Sequence, residues 1–507
     1  MRAPNILLIT SDQHRGDCFG FAGRGVKTPH LDLMAAEGSR FATAITPNPV
    51  CQPARASILT GKLPLTHGVR DNGIDLPPET AEQGFAGQLS RAGWQTGFIG
   101  KAHFSSHHTF TPTGTPECRQ SMNQYGPDWC GPYMGFQHVE LVVEGHNHWL
   151  PMAPPFGQHY ERWYYGDGRG ESKNQRYKTP LPPDSGGALQ TFNSALPVAW
   201  HNSTWVGDRT IDFLRQHKDD DAPFCLWASF PDPHHPFDAP EPWCHLHRPE
   251  DVDLPPHRER DFERRPWWHR AVIEGVPGHG NAEINKMRNG PVQSEAQLRK
   301  VIANYYGMIS LIDHQIGRID SALHELGLAE NTIVIFTADH GEWLGDHGLL
   351  LKGPMLYDGL LRVGMIAKGP GIPAGNLVTQ PVSTLDLAPT FFDYAGLASD
   401  GLHGKSLRTL FEGGKEVRDY AYNEWDVGAE RCGVPLLLRT VRDERYRLTL
   451  ELESGAGELY DFATDPFECV NLFEHKDYAE VRDRLTGYIH ARPDDALPEP
   501  LPVSGLA

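Results

Sequence analysis

The chain has 507 residues, 39% of them hydrophobic, with a formal net charge of −19 at neutral pH. That length exceeds what one hydrophobic core usually fills, so one large domain with a smaller companion is expected rather than a string of modules. The acidic balance excludes a general nucleic-acid binder, whose phosphate partner selects for basic surface, yet it leaves room for an anionic ligand in a local cationic pocket.

The first element is an apolar run, Ile6 to Ile9, that stops at Ser11-Asp12-Gln13. A continuous run of this kind predicts a strand buried on both faces, with Asp12 and Gln13 delivered at its carboxyl end, the edge where ligands gather in open α/β sheets. No small-residue cleavage site follows it, and no stretch reaches the roughly 18–20 apolar residues of a membrane span. A cytoplasmic protein with no membrane partner is therefore expected.

Next comes Cys51-Gln52-Pro53-Ala54-Arg55, followed by Ala56-Ser57-Ile58-Leu59-Thr60-Gly61. The other seven cysteines, at 18, 118, 130, 225, 244, 432 and 469, form no C-x-x-C pair, so neither a zinc ribbon nor a disulfide framework is suggested and packing accounts for them. Downstream, Glu79 to Ala92 predicts a helix before the strand Thr96 to Gly100, and Thr204 to His217 predicts another before the strand Phe224 to Phe230. Between them, 104 to 202 is rich in Gly, Pro, His and aromatic residues without sustained periodicity, which marks a functional wall or lid. Within it, Gly145-His146-Asn147-His148-Trp149 could touch substrate. The stretch from Arg248 to Arg270 is dense in mixed charge and is expected to be a surface loop or subunit contact.

The longest helical signal, Ser294 to Leu326, carries apolar residues at close to a 3.6-residue period and feeds the strand Thr332 to Phe336. That strand ends in Thr337-Ala338-Asp339-His340-Gly341. Alternation of strand and helix argues for a doubly wound, mostly parallel α/β sheet over residues 1–410. From 411 onward, the alternating Arg447 to Leu452, a glycine turn, Glu458 to Asp461 and a helical Tyr478 to Arg492 predict a smaller antiparallel α+β domain.

The frame C-x-P-x-R running into L-T-G resembles the sulfatase signature. The resemblance continues at Asp12, at Gly100-Lys101-Ala102-His103, at Pro233-His234-His235-Pro236-Phe237, and at Ala338-Asp339-His340-Gly341-Glu342. Lys352 follows, then Tyr357-Asp358, Arg362-Val363, Leu459-Tyr460-Asp461, Asp465-Pro466-Phe467-Glu468 and Asn471-Leu472, all in the family's order. It implies the alkaline-phosphatase-like fold and a sulfuric ester hydrolase whose Cys51 is oxidised to formylglycine by a formylglycine-generating enzyme. By the same resemblance Asp12, Gln13, Asp339 and His340 are metal ligands, completed by the matured Cys51, and Arg55 orients the formylglycine hydrate. Lys101 holds that hydrate and His103 deprotonates it, while His234 and Lys352 bind the oxyanion and protonate the leaving group. His235 competes with His234 for the acid's place, and Asn72 is a weaker candidate, since an Asn-Gly pair is commonly a turn.

One departure matters. The common sulfatase ligand set is all oxygen, whereas Gln13 and His340 match the phosphonate monoester hydrolases, and an imidazole ligand moves metal preference from calcium toward manganese or zinc. Manganese is thus favoured slightly over calcium. Lys101 and His103 point back to true sulfatases. The expected substrate is a small sulfate ester, with a phosphonate monoester or phosphodiester as the alternative; a superfamily relative with an unmodified nucleophile and a non-catalytic binding protein remain further alternatives. A homo-oligomer is expected from the resemblance to phosphonate hydrolases.

Overall fold

The protein is described from a computed structural model that covers residues 3–143, 145–146, 150–275, 292–415 and 418–506. Its central sheet has eight strands: β1 (Asn5–Ser11), β2 (Ser39–Phe41), β3 (Gln95–Gly100), β4 (His138–Leu141), β5 (Phe224–Phe230), β6 (Thr332–Ala338), β7 (Ile366–Lys368) and β8 (Asn376–Val378), in the spatial order β8-β2-β7-β6-β1-β5-β3-β4. Neighbouring pairs from β6 to β4 are parallel, and β7 alone runs against its neighbours β6 and β2. In this register Ser11 lies beside both Phe230 and Ala338. Three strands therefore end level, and the polar residues after each emerge at one edge.

The continuous apolar strands serve two cores. Ile6, Leu8, Cys225, Trp227, Ile333 and Ile335 pack on one face against α2 (Cys51–Thr60), α3 (Phe85–Arg91) and α6 (Leu387–Ala395). Leu7, Ile9, Leu226, Ala228, Val334 and Phe336 pack on the other against α1 (Pro29–Glu37), α4 (Asn202–His217) and α5 (Glu295–Glu325). This is the doubly wound arrangement in which strands lack polar alternation because both faces are covered. Ser294 starts α5 with a capping box, its side chain accepting from the Gln297 amide.

Trp227 sits at the centre of the first core, fully buried, with ring centroids of Phe85, Phe98 and Phe104 at 5.9, 5.2 and 5.8 Å and its indole N–H donating to Thr10 Oγ1 at 2.8 Å. Trp227→Ala is expected to cost about 3–5 kcal/mol, the range for truncating a buried large aromatic. A guanidinium unfolding midpoint measures it; a cost under about 1 kcal/mol means that the core refills the space.

Toward the C-terminus, β9 (Ala421–Val427), β10 (Leu436–Arg442), β11 (Tyr446–Glu451) and β12 (Gly457–Asp461) form an antiparallel four-stranded sheet, with α7 (Ala479–His490) packed against it. One core joins this sheet to the segment after β6, since Trp343, Met355 and Tyr357 share a cluster with Trp425, Leu438 and Tyr460. Residues 493–506 then return to the main body as a strap. The amides of Leu497 and Ser504 donate to the carbonyls of Leu65 (2.9 Å) and Gly73 (2.7 Å), and Gly505–Leu506 pairs antiparallel with His108–Thr109.

Some expectations are corrected. The helix expected over 79–92 is two, Pro78–Glu82 and Phe85–Arg91, parted at Gly84, where a Cβ would stand 2.5 Å from the Leu59 carbonyl oxygen. The irregular wall contains the edge strand β4 and helices over His159–Gly166 and Gly170–Tyr177. The charged segment around 248–270 is only partly surface: Trp268 is fully buried in the core shared with the C-terminal sheet, and Arg265 donates to the Tyr460 hydroxyl and, at 2.7 Å, to the Glu468 carbonyl. All eight cysteines are free thiols; six are buried, whereas Cys130 is exposed and Cys469 half-buried, so packing does not account for those two. Among the described residues, no helix is long and apolar enough to cross a membrane.

Candidate active site

Cys51 opens α2 with its thiol turned to the sheet edge, only 1% exposed. The helix begins there because Val50 is extended and the side-chain oxygen of Asn72 accepts the Gln52 amide at 2.9 Å, a bond that the free first turn of a helix requires. Gly100 ends β3 at φ 113°, where a Cβ would stand 1.9 Å from the Ser229 carbonyl, so only glycine lets the chain turn tightly enough to present Lys101. Gln13 follows β1 with φ 65°, and its amide donates to Asp339 Oδ1 at 3.0 Å, which ties the ends of β1 and β6 together.

These local arrangements assemble the expected residues around one atom. Lys352 Nζ lies 3.1 Å from Cys51 Sγ, His340 Nε2 3.2 Å and Asp12 Oδ1 3.6 Å; the rings of His103 and His234 also neighbour the thiol. Lys101 forms an ion pair with Asp12. Arg55, wholly buried, donates to Asp339 Oδ2 (2.9 Å), the Lys101 carbonyl (2.6 Å), Ser229 Oγ (2.8 Å) and Asp12 Oδ2 (3.4 Å). Of the paired histidines, His235 faces Gln13 at 3.1 Å, while His234 is the one at the thiol. His146 is buried beside the Tyr177 ring, 4.2 Å away, and Asn147, His148 and Trp149 lie outside the described residues.

The electrostatics follow from the crowding. Burial alone would raise the Cys51 thiol, but Lys352, Lys101 and His340 outweigh it and hold it well below the ordinary thiol range. Burial, reinforced by Lys352 and Lys101, pushes His234 well down, and burial lowers His103. Both rings are thus neutral in a strongly cationic pocket. Such a pocket on an acidic protein is a local anion trap.

The donors fit a divalent cation. Ligand atoms of Asp12, Cys51, Asp339 and His340 all lie within 4.8 Å of one another. His340 Nδ1 is engaged by the Gly341 carbonyl at 2.9 Å, which fixes the tautomer so that the Nε2 lone pair faces the cluster. The Gln13 amide oxygen lies 3.2 Å from Lys352 Nζ, which in turn lies 3.1 Å from both Cys51 Sγ and His340 Nε2.

Residues 4–397 match the sulfatase family. The chain belongs to the sulfatase family. Residues 345–493 of this sulfatase also match the C-terminal region of N-sulphoglucosamine sulphohydrolase. It is 32% identical to the arylsulfatase of Clostridium perfringens over 95% of this chain and 92% of that one. A multifunctional alkaline phosphatase superfamily protein of Trinickia caryophylli is 27% identical, with 95% and 94% covered. The crystal structure of the phosphonate monoester hydrolase of Agrobacterium radiobacter superposes with a TM-score of 0.75 at 28% identity, covering 96% of this chain and 95% of that one. This sulfatase is accordingly a sulfuric ester hydrolase with the alkaline-phosphatase-like fold, and its family implies a divalent metal and a formylglycine.

Three residues of the site carried no assigned role from sequence. Ser229 Oγ bridges Arg55 and, at 2.7 Å, the Lys101 carbonyl. Glu342 accepts from the Gln13 side chain and from the Leu344 amide at 3.1 Å, and burial pushes its carboxyl up to about 7. Glu117 accepts three backbone amides of the loop that carries His103. Ser229 was findable as the polar residue closing the β5 run; Glu117 is a lone acid far along the wall and gave no signal.

Proposed function

We propose that this enzyme hydrolyses small sulfate monoesters of the arylsulfatase type through a formylglycine made from Cys51, and accepts phosphorus esters more slowly. The observation that carries the reading is the pair Lys101 and His103, one bound to Asp12 and the other beside the Cys51 thiol. Asp12, Gln13, Asp339 and His340 would hold the divalent cation, manganese in preference to calcium. When bound, the cation screens the anionic ester and acidifies the attacking hydroxyl.

The chain's own groups divide the remaining work. Lys352 Nζ and Lys101 neutralise the ester oxygens, and Arg55 fixes Asp12 and Asp339 behind the nucleophile. His234 Nδ1 is held by the His235 carbonyl at 2.6 Å, so Nε2 is the ring nitrogen that gives a proton to the departing ester oxygen. An anionic ester beside that ring raises its affinity for a proton, so Nε2 takes one from solvent as the ester binds and passes it to the leaving oxygen. His103 then takes the proton of the second formylglycine hydroxyl; the O–H pair becomes the carbonyl bond, the C–O bond to sulfate breaks, and its electron pair leaves with the sulfate. Water rehydrates the aldehyde.

A second reading, phosphonate monoester hydrolysis, is favoured by Gln13 and His340 and by the likeness to the Agrobacterium enzyme. Paired kcat/KM values on an aryl sulfate, an aryl phosphonate monoester and a phosphodiester decide between them. A sulfate preference is expected; a phosphonate preference of about 100-fold, worth about 3 kcal/mol of transition-state binding, reverses the order. Chelation should remove activity, with manganese restoring more than calcium, and a calcium-restored enzyme overturns the metal assignment. A formylglycine-generating enzyme as maturation partner, a homo-oligomer and a cytoplasmic location belong to the same proposal.

A further inference from the structure

Lys101 and His103 sit two residues apart but are anchored by different means. Lys101 is fixed at both backbone ends: its amide donates to the Ser229 carbonyl at 3.0 Å, and its carbonyl accepts from Arg55 at 2.6 Å and from Ser229 Oγ at 2.7 Å. Among the described residues, His103 has no comparable tie to the sheet. Its backbone lies in the left-handed region at φ 52°, which non-glycine residues occupy only when the surroundings enforce it.

The enforcing group is Glu117. Its carboxylate accepts the amides of His103, Phe104 and Ser105 at 2.5, 3.1 and 3.2 Å, and the Tyr133 hydroxyl at 2.8 Å. Three successive amides turned onto one carboxylate form a nest, a backbone concavity that favours negative charge, though burial outweighs them and pushes the carboxyl up to about 7. Glu117 is itself 5% exposed, so these bonds are made away from competing water.

The His103 ring makes this tie matter. A histidine that moves protons is usually oriented by a carboxylate or carbonyl on its second nitrogen. Here Nδ1 is buried and has no hydrogen-bond partner among the described residues. The ring's aim at Cys51 is therefore set by its backbone, and its backbone is set by Glu117.

We propose that Glu117 is a positioning residue for the release step, holding residues 103–105 so that the His103 ring stays at the nucleophile. The proposal rests on the reading of His103 as the base that ends the cycle. It predicts an effect confined to one half of the reaction, because Lys101 and the groups that attack and protonate are anchored independently of Glu117.

The test follows nitrophenolate release from 4-nitrophenyl sulfate by matured, metal-loaded Glu117→Gln, His103→Ala and the double variant. In both single variants the first nitrophenolate per site should appear within about threefold of the wild-type rate, while later turnovers slow by about 10-fold in Glu117→Gln and about 100-fold in His103→Ala. The double variant should be no slower than His103→Ala, as expected when two residues act as one unit. Amide hydrogen exchange of the 103–105 segment should quicken in Glu117→Gln and that of β1 should not. If Glu117→Gln fails to fold, Glu117→Asp, which keeps the charge but withdraws it from the amides, carries the same expectations. Wild-type turnover in the Glu117 variant, an equal slowing of the first and later turnovers, or multiplicative losses in the double variant would overturn the proposal. Unchanged turnover in His103→Ala would instead sink the reading of His103 on which it stands.

Discussion

Cys51→Ala should reduce kcat by at least about 10⁴-fold, the scale seen when a covalent nucleophile is removed and the binding groups remain. The fold should survive, because the change removes one buried atom, and the expected cost is about 1 kcal/mol. Cys51→Ser separates the two halves of the cycle. A serine hydroxyl offers an attacking oxygen but has no second hydroxyl from which to expel sulfate, so at most one turnover per site is expected. The measurements are steady-state hydrolysis of an aryl sulfate, a thermal melt, and peptide mass at residue 51 of the parent enzyme. Retention of more than about 1% of turnover in Cys51→Ala, or an unoxidised thiol in fully active enzyme, would place the nucleophile elsewhere.

Arg55→Ala should damage both stability and activity. The guanidinium is completely buried and spans two carboxylates, a backbone carbonyl and a hydroxyl. Deleting one partner of a buried ionic group leaves uncompensated charge, here on Asp12 and Asp339, and costs about 3–5 kcal/mol. Activity should fall by about 10³-fold, since the same carboxylates are the candidate metal ligands and their aim depends on the planar fork. Arg55→Lys should recover little, because an ammonium cannot bond Asp339, Ser229 and the Lys101 carbonyl in the fixed directions that the fork reaches. Denaturant midpoints with and without added manganese, alongside kcat/KM, measure both parts. An Arg55→Lys enzyme within tenfold of the parent would show that charge alone suffices there.

How far the sequence could be read depended on range. β1, β3, β5 and β6 were visible because a strand covered on both faces is an uninterrupted apolar run, and α5 because its burial follows a helical period over 31 residues. The metal and nucleophile candidates were visible for a related reason: they directly follow those strands or open α2, so short motifs carry them. β7, only three residues long, was missed, as was the edge strand β4 in the aromatic-rich wall. The break at Gly84 was hidden because its cause is a carbonyl 25 positions earlier in the chain. Glu117, Ser229 and Arg265 act through backbone groups brought close only by the fold, and no local pattern encodes such partners.

The strap over 493–506 bears on the order of events during synthesis. It fastens the stretch around Leu65 and Gly73, just beyond α2, and the stretch at His108 to Phe110, just beyond His103, so a segment far along the chain closes on the neighbours of an early functional residue. Once they are in place, the Cys51 thiol is buried within a helix and out of an enzyme's reach. Any enzyme that oxidises Cys51 must therefore act before the chain has folded around it. At roughly 5–20 residues per second, translation from residue 61 to the strap leaves an interval on the order of 20–90 s. The yield of active enzyme is then set by a race between oxidation and docking of the strap, and slower elongation should raise it.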